Sequence, residues 1–461
     1  MKKFLFLFFL VITITASAQN LRFRKGIVLD SIAMVRDTLH AELQESYAIF
    51  LPSNFDVNKK WPLIFIFDPD GDGKKGVKLF SEAAEKYGYI LVGSNNIKEG
   101  KIAPNLATYN RLSEEILNIF PVHPSRIYTA GFSGGARLAS SIAVLSDGIA
   151  GVIACGAGFS SAYPPKKNKF FFVGISGETD FNLIELLNTT TFLKRMKFDT
   201  EHYIVEGGHA WPPSSVILKT IQDIELKLKT KNTSDEGGDF VKESYQSDYN
   251  YVRALLAERK PSRAIEELKR MQKNYRFNFN TDSLVEIEKT IKRDKILKTV
   301  IASNRRALNE ERTIRLNYLE YFIDDLDTIF MDNLGWWEAQ NAMLDDYIKG
   351  SNKARQKMGK RLKSMLYTLG KERLESVDIN KQVDKALFLH IFITLADPAA
   401  YDSYLGIMQI STKEGNYEMG LYYAEQLFKN GFKDKNKLYG TDGLSTLRIS
   451  PEFRELVRKY L

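Results

Sequence analysis

Between residues 27 and 228 short apolar runs alternate with amphipathic stretches. Residues 46–51 read as a strand ended by Pro52. Residues 62–67 are apolar at every position, as a central parallel strand covered by helices on both faces must be. Residues 77–87 follow a helical period closed by Gly88, and 89–93 form the next strand. Residues 106–120 form another amphipathic helix, ended by Pro121. A β-branched and aromatic run, Ile127-Tyr128-Thr129, then drops into Gly131-Phe132-Ser133-Gly134-Gly135. A helical segment follows with Leu138, Ile142 and Leu145 on one face. Strands at 151–156, 170–175 and 202–205, with helices at 183–196 and 216–228, complete the series. Repeated strand–helix units with nearly all-apolar strands predict an α/β fold, a doubly wound and mostly parallel sheet.

Past this point strand signals vanish. Residues 229–238 are polar, contain Gly237-Gly238 and carry no hydrophobic period, so a linker is expected at 231–240. Helices are expected at 248–258, 262–275, 283–309, 334–349, 386–394 and 399–413. Pro261 and Pro398 fit first-turn positions, the latter with Asp397 as N-cap. Gly415-Asn416 separates 399–413 from 417–430, an αα-hairpin closed by Gly431. This pair resembles a tetratricopeptide unit, with Gly420 at a small-residue position and Ala424, Leu427 and Phe428 toward the partner helix. Arg263-Ala264-Ile265-Glu266-Glu267-Leu268-Lys269 resembles part of another, although no fixed period runs across 276–397. Trp336, Trp337, Tyr422 and Tyr423 are expected to fill a helical core rather than a ligand groove.

A chain of 461 residues exceeds one ordinary core, which agrees with an α/β domain over 19–230 and an all-α domain over 241–461. The formal net charge of +8 comes from Lys and Arg interleaved with Asp and Glu. It reads as solvated surface, and no nucleic-acid partner is expected. Met1-Lys2-Lys3, the apolar run Phe4-Leu5-Phe6-Leu7-Phe8-Phe9-Leu10-Val11-Ile12 and Ala16-Ser17-Ala18 have the layout of a signal peptide over 1–18. Cleavage before Gln19 and export to the periplasm or beyond are expected. No second segment is long and apolar enough for an integral membrane span. The single cysteine, Cys155, permits no internal disulfide, so stability must come from packing.

The chemistry centres on Ser133. In a strand–turn–helix context, Gly-x-Ser-x-Gly presents the serine on a strained turn where bulky residues two positions away would clash. The alternative is a Gly-rich turn that merely allows close packing. A serine hydroxyl needs a base, and the chain has five histidines. His40 precedes the sheet core, His123 precedes the strand into the turn, and His390 lies in the helical half. His202 begins an apolar strand. His209 follows that strand's carboxyl end in Glu206-Gly207-Gly208-His209, where two glycines free the loop and where α/β sheets place ligands. The acid that orients the imidazole is expected at Asp180, just past the strand at 170–175. Glu178 and Asp199 are rivals, and capping of the next helix is a structural alternative for Asp180. Serine, acid, histidine is the chain order of α/β-hydrolases. The N–H of Gly134 is one oxyanion donor, and the second is expected from the loop Asp68-Pro69-Asp70-Gly71-Asp72-Gly73.

Four stretches occur in order: Tyr47-Ala48-Ile49-Phe50-Leu51-Pro52, Trp61-Pro62-Leu63-Ile64-Phe65, His123-Pro124-Ser125-Arg126-Ile127-Tyr128-Thr129-Ala130-Gly131-Phe132-Ser133-Gly134-Gly135 and Gly208-His209-Ala210-Trp211-Pro212. Together they resemble the secreted esterases related to polyhydroxybutyrate depolymerases and feruloyl or acetylxylan esterases. The resemblance implies an α/β-hydrolase fold, no metal or organic cofactor, and hydrolysis of small or carbohydrate-linked esters through an acyl-enzyme. It carries Ser133, Asp180 and His209 over as the triad. The family's usual His-Gly after the central strand is Asp68-Pro69 here, so by position Asp70 would supply the second oxyanion N–H, because Pro69 cannot donate. His123 stands where the family usually has Asp. The alternatives are a serine peptidase of the oligopeptidase type and an inactive hydrolase domain kept as a scaffold, with a possible protein partner on the helical half.

Overall fold

The computed structural model of the protein describes residues 24–36, 42–160, 163–166, 170–232 and 238–461. The expected signal peptide, His40 and the middle of the expected linker lie outside them. Internal contacts divide the chain into two compact bodies. The first holds the residues up to Glu178 and Asn182–Lys298, and the second holds Thr179–Phe181 and Thr299–Leu461. The division therefore falls later than the expected linker.

The first body is built on one eight-stranded sheet: β1 (Val28–Arg36), β2 (Glu42–Phe50), β3 (Trp61–Phe67), β4 (Ile90–Ser94), β5 (Val122–Phe132), β6 (Ile149–Cys155), β7 (Phe171–Gly177) and β8 (Thr200–Val205). The spatial order is β1-β2-β4-β3-β5-β6-β7-β8. Only β1 and β2 run antiparallel to their neighbours, so the expected doubly wound, mostly parallel sheet is present. Alternate residues of β3 serve two cores. Leu63, Phe65 and Phe67 pack with Tyr109, Leu112 and Ile116 of α2 (Ile102–Ile119) and Leu138 and Ile142 of α3 (Gly134–Leu145). Ile64 and Ile66 pack with Val77 and Phe80 of α1 (Gly73–Tyr87) and Ile217, Ile221 and Ile224 of α5 (Ser214–Asn232). Burial on both faces explains why β3 is apolar throughout. On the α2–α3 face, α4 (Leu183–Arg195) adds Leu186 and Leu193.

The first body also takes in α6 (Asp239–Ala257), α7 (Pro261–Tyr275) and α8 (Asp282–Arg293). A buried charge cluster ties α6 and α7 to α5. Lys219 Nζ lies 2.8 Å from Asp248, 2.9 Å from Asp223 and 3.2 Å from Glu267. Tyr203 of β8 donates to Asp223, Tyr275 donates to Asp248 at 2.7 Å, and Arg270 pairs with Glu267. Burial pushes the Asp248 carboxyl up to about 7 even with Lys219 beside it. Pro261 opens α7 as expected.

The second body is helical: most of α9 (Lys295–Thr328), then α10 (Leu334–Lys349), α11 (Lys353–Glu375), α12 (Val383–Ala396), α13 (Tyr401–Lys413), α14 (Tyr417–Lys429) and three short helices, α15 (Lys435–Gly440), α16 (Ser445–Ile449) and α17 (Pro451–Tyr460). Trp337 is fully buried with Phe322, Phe388 and Phe392, its Nε1 donating to Asp325 at 2.7 Å. The core role expected for it holds. Tyr422, by contrast, is exposed.

Two local expectations change. The helix expected at 283–309 breaks at Asp294, whose backbone is extended and whose carboxylate caps α9 through Leu297 N–H at 2.8 Å. Asp397 does not cap α13. It ends α12 and accepts from Ala399 N–H, leaving Pro398 in the turn between the helices.

Replacing Lys219 by Met leaves three carboxylates facing one another without their shared cation. The expected cost is about 3–5 kcal/mol in urea unfolding of the full chain. A loss under about 1 kcal/mol would mean that the cluster is hydrated rather than held by Lys219.

Candidate active site

Ser133 stands between β5 and α3 with φ 51° and ψ −121°, a conformation L-residues rarely adopt. Its N–H donates to Cys155 O at 2.9 Å, which pins the turn to β6. The flanking glycines are demanded by contact. A Cβ on Gly131 would come within 2.3 Å of the Gly135 backbone, and one on Gly135 within 2.1 Å of the Phe67 carbonyl of β3. The motif is thus a steric requirement of α3 crossing directly over the ends of β3 and β5.

His209 follows β8 on the loop freed by Gly207, which has φ 101°. Its Nε2 lies 3.0 Å from Ser133 Oγ, within reach for proton transfer. The imidazole packs on Phe132 with ring centroids 4.7 Å apart, and Phe132 packs in turn on Trp211 at 5.6 Å. Trp211 Nε1 donates to Asp68 Oδ2 at 2.7 Å. The buried Asp68 therefore fixes the residue two positions beyond His209.

The other described histidines are elsewhere. His123 Nδ1 meets Ser125, His390 is buried in the second body, and His202 Nε2 pairs with Ser176 Oγ at 2.9 Å. Desolvation, with the positive charges of Arg270 and Lys194 adding to it, lowers the His202 pKa to about 3. It stays neutral at ordinary pH.

Asp180 is buried on the loop between β7 and α4, three residues past the carboxyl end of β7. That strand end lies against the histidine loop: Glu178 N–H donates to Val205 O at 2.7 Å, and a Cβ on Gly177 would come within 2.4 Å of the Gly207 and Gly208 carbonyls. Thr179–Phe181 counts with the second body, where Phe181 packs against the helical core and its carbonyl accepts from Arg315 at 2.5 Å. The rival Asp199 is committed elsewhere. Burial would raise its pKa, but Lys227 and Lys273, at 3.1 and 2.8 Å, outweigh this and hold it down to about 2.

The two expected oxyanion donors are both engaged. Asp70 N–H donates to Asp68 Oδ1 at 2.9 Å, and Gly134 N–H donates to Glu99 Oε2 at 3.2 Å. The Asp68 carboxylate turns to Trp211 and Lys75, and that of Asp70 is 78% exposed. Glu99 and the Asp68–Trp211 bond are parts of the site that sequence reasoning missed. Asp68-Pro69-Asp70 carried a local signal for the turn, but nothing local pointed to Glu99, 35 residues from its partner. Among the described residues no group of three or more His, Cys, Asp or Glu could hold a metal ion.

No family model and no curated protein matches the chain. Solved structures similar to it include a thermostable esterase (15% identity, TM-score 0.34, covering 43% of this chain and 60% of that one). A ferulic acid esterase (16%, 0.35, 42% and 96%) and an esterase of Pyrobaculum calidifontis (12%, 0.37, 44% and 86%) are others. The chain thus spans less than two thirds of the length of the first of these. At such identities and scores the likeness adds nothing to what the site's own geometry supports.

The lowered His202 pKa predicts a stability trend. Between pH 6.5 and about 3 the unfolded chain binds a proton at this residue that the folded chain does not, so stability falls as pH falls through that window. The slope from His202 is at most about 1.4 kcal/mol per pH unit. Urea midpoints from pH 7 to pH 4 should fall less steeply in His202→Gln than in the parent. Parallel curves would contradict the assignment.

Proposed function

We propose that the protein is an exported serine hydrolase acting on carboxylic esters, with Ser133 as nucleophile, His209 as general base and Asp180 as the acid that orients the imidazole. The observation that carries this reading is the 3.0 Å approach of His209 Nε2 to Ser133 Oγ on the strained turn. His209 takes the Oγ proton as Oγ bonds to the ester carbonyl carbon, and the carbonyl oxygen becomes an oxyanion. Collapse breaks the bond to the alcohol oxygen, which leaves with the proton from His209, and the acyl group stays on Ser133. Water then gives a proton to His209 and attacks the acyl carbon. The carboxylic acid departs as Ser133 recovers its proton.

Asp180 suits its role by chain order and by position past β7, next to the strand that leads to His209. Export rests on the leader-like residues 1–18, and the small or carbohydrate-linked ester rests on the four quoted stretches. The helical half is proposed as the place for a protein partner.

A second reading, a catalytically silent domain kept as a scaffold, is favoured by the two engaged oxyanion donors. Kinetics separate the two. Ser133→Ala and His209→Gln should each lower hydrolysis of short p-nitrophenyl esters by about a million-fold relative to the parent. Thermal stability of Ser133→Ala should be nearly unchanged, since Ala keeps the same Cβ on the same turn. Parental hydrolysis no faster than that of Ser133→Ala would establish the silent reading.

A further inference from the structure

The carboxylate of Glu99 sits on the backbone N–H that follows Ser133. Its Oε2 accepts from Gly134 N–H at 3.2 Å. A Cβ on Gly134 would meet Oε1 at 2.3 Å and Oε2 at 2.6 Å, so both oxygens press against the residue after the nucleophile.

The loop behind Glu99 is built rather than loose. Ile97 is buried in the core and its N–H donates to Ser94 Oγ at 3.2 Å. Asn105 Nδ2 holds Lys98 O at 2.7 Å, and Glu99 N–H donates to Pro69 O at 2.7 Å. That last bond joins the Glu99 loop to the loop whose Asp70 N–H is held by Asp68. Gly73 N–H, bonded to Asn95 Oδ1 at 3.1 Å, closes the same seam. Two N–H groups suited to an oxyanion are therefore each held by a carboxylate of the chain, on loops bonded to each other.

We propose that Glu99 is a built-in competitor for the oxyanion site, an intramolecular stand-in for the acid product that a substrate carbonyl must displace. The inference rests on the serine-hydrolase reading of Ser133. A carboxylate and an oxyanion cannot share one N–H, and their like charges repel at contact distance. Reaction therefore requires the Glu99 side chain to leave Gly134. Because the displaced carboxylate remains tethered beside the site, it also selects against anionic acyl groups and in favour of neutral ones.

The test compares the parent with Glu99→Ala and Glu99→Gln. The readouts are the rate at which a neutral p-nitrophenyl alkylphosphonate labels Ser133 and the effect of added acetate on that rate. Glu99→Ala should label at least ten-fold faster than the parent, with Glu99→Gln between them. Acetate should slow only the alanine variant, by refilling the vacated site. Equal or slower labelling of the variants overturns the competitor while leaving Ser133 as nucleophile. Absence of label on Ser133 in all three proteins overturns the hydrolase reading and the competitor with it.

Discussion

The close approach of α3 to the end of β3 is the constraint on which the site depends. With Gly135 directly over the Phe67 carbonyl, the chain must reverse within the space of Ser133, and a positive φ is the result. The strain of order 1–3 kcal/mol held at such a residue is offset by packing around it. Ala136, Leu138, Ala139 and Ile142 of α3 are all buried in the core beneath the sheet. What the strain secures is direction. Oγ meets His209 Nε2 at 3.0 Å, and the next N–H, that of Gly134, meets Glu99.

Everything else at that edge answers to this geometry. The histidine arrives on a glycine-rich loop from β8, braced by Phe132, Trp211 and the buried Asp68. The unusual Asp-Pro-Asp sequence after β3 therefore has a structural use, because the Asp68 carboxylate holds the Trp211 indole and the Asp70 N–H. The cost falls on the proposed oxyanion donors, both of which are engaged by carboxylates. An oxyanion donor contributes about 3 kcal/mol to lowering the barrier, whereas a carboxylate held about 4 Å from an oxyanion opposes it by about 4 kcal/mol at an effective dielectric of 20. In the proposed chemistry Glu99 must leave Gly134 N–H before that donor can serve an oxyanion. The same side chain displaced into solvent would be nearly harmless.

Sheet, turn and histidine were legible because each follows a local rule. β3 and β6 are apolar through burial on both faces, Gly88 ends α1 in the left-handed region, and the glycines around Ser133 answer to one crossing. Elements without such a rule were missed. β1 is an edge strand whose sequence mixes Asp30, Ser31 and Arg36 with apolar residues, and its pairing with β2 carries no local period. α11 is rich in Lys and Arg, so the stripe of Met358, Leu362, Met365 and Leu366 is diluted. The charge cluster around Lys219 gathers residues from three helices, and the Glu99 contact joins loops far apart in sequence. Such contacts exist only once the fold does, which is why neither was visible in the chain alone.

In the proposed chemistry Ser133 bonds covalently to an acyl group. The direct measurement is mass spectrometry of the peptide bearing Ser133 after acid quench of the protein mixed with p-nitrophenyl acetate. An acetyl group is expected on Ser133 that appears with the first released nitrophenol, decays when the ester is removed and is absent in Ser133→Ala. Steady release of nitrophenol with no acetyl group on Ser133 at any quench time would rule out Ser133 as the nucleophile.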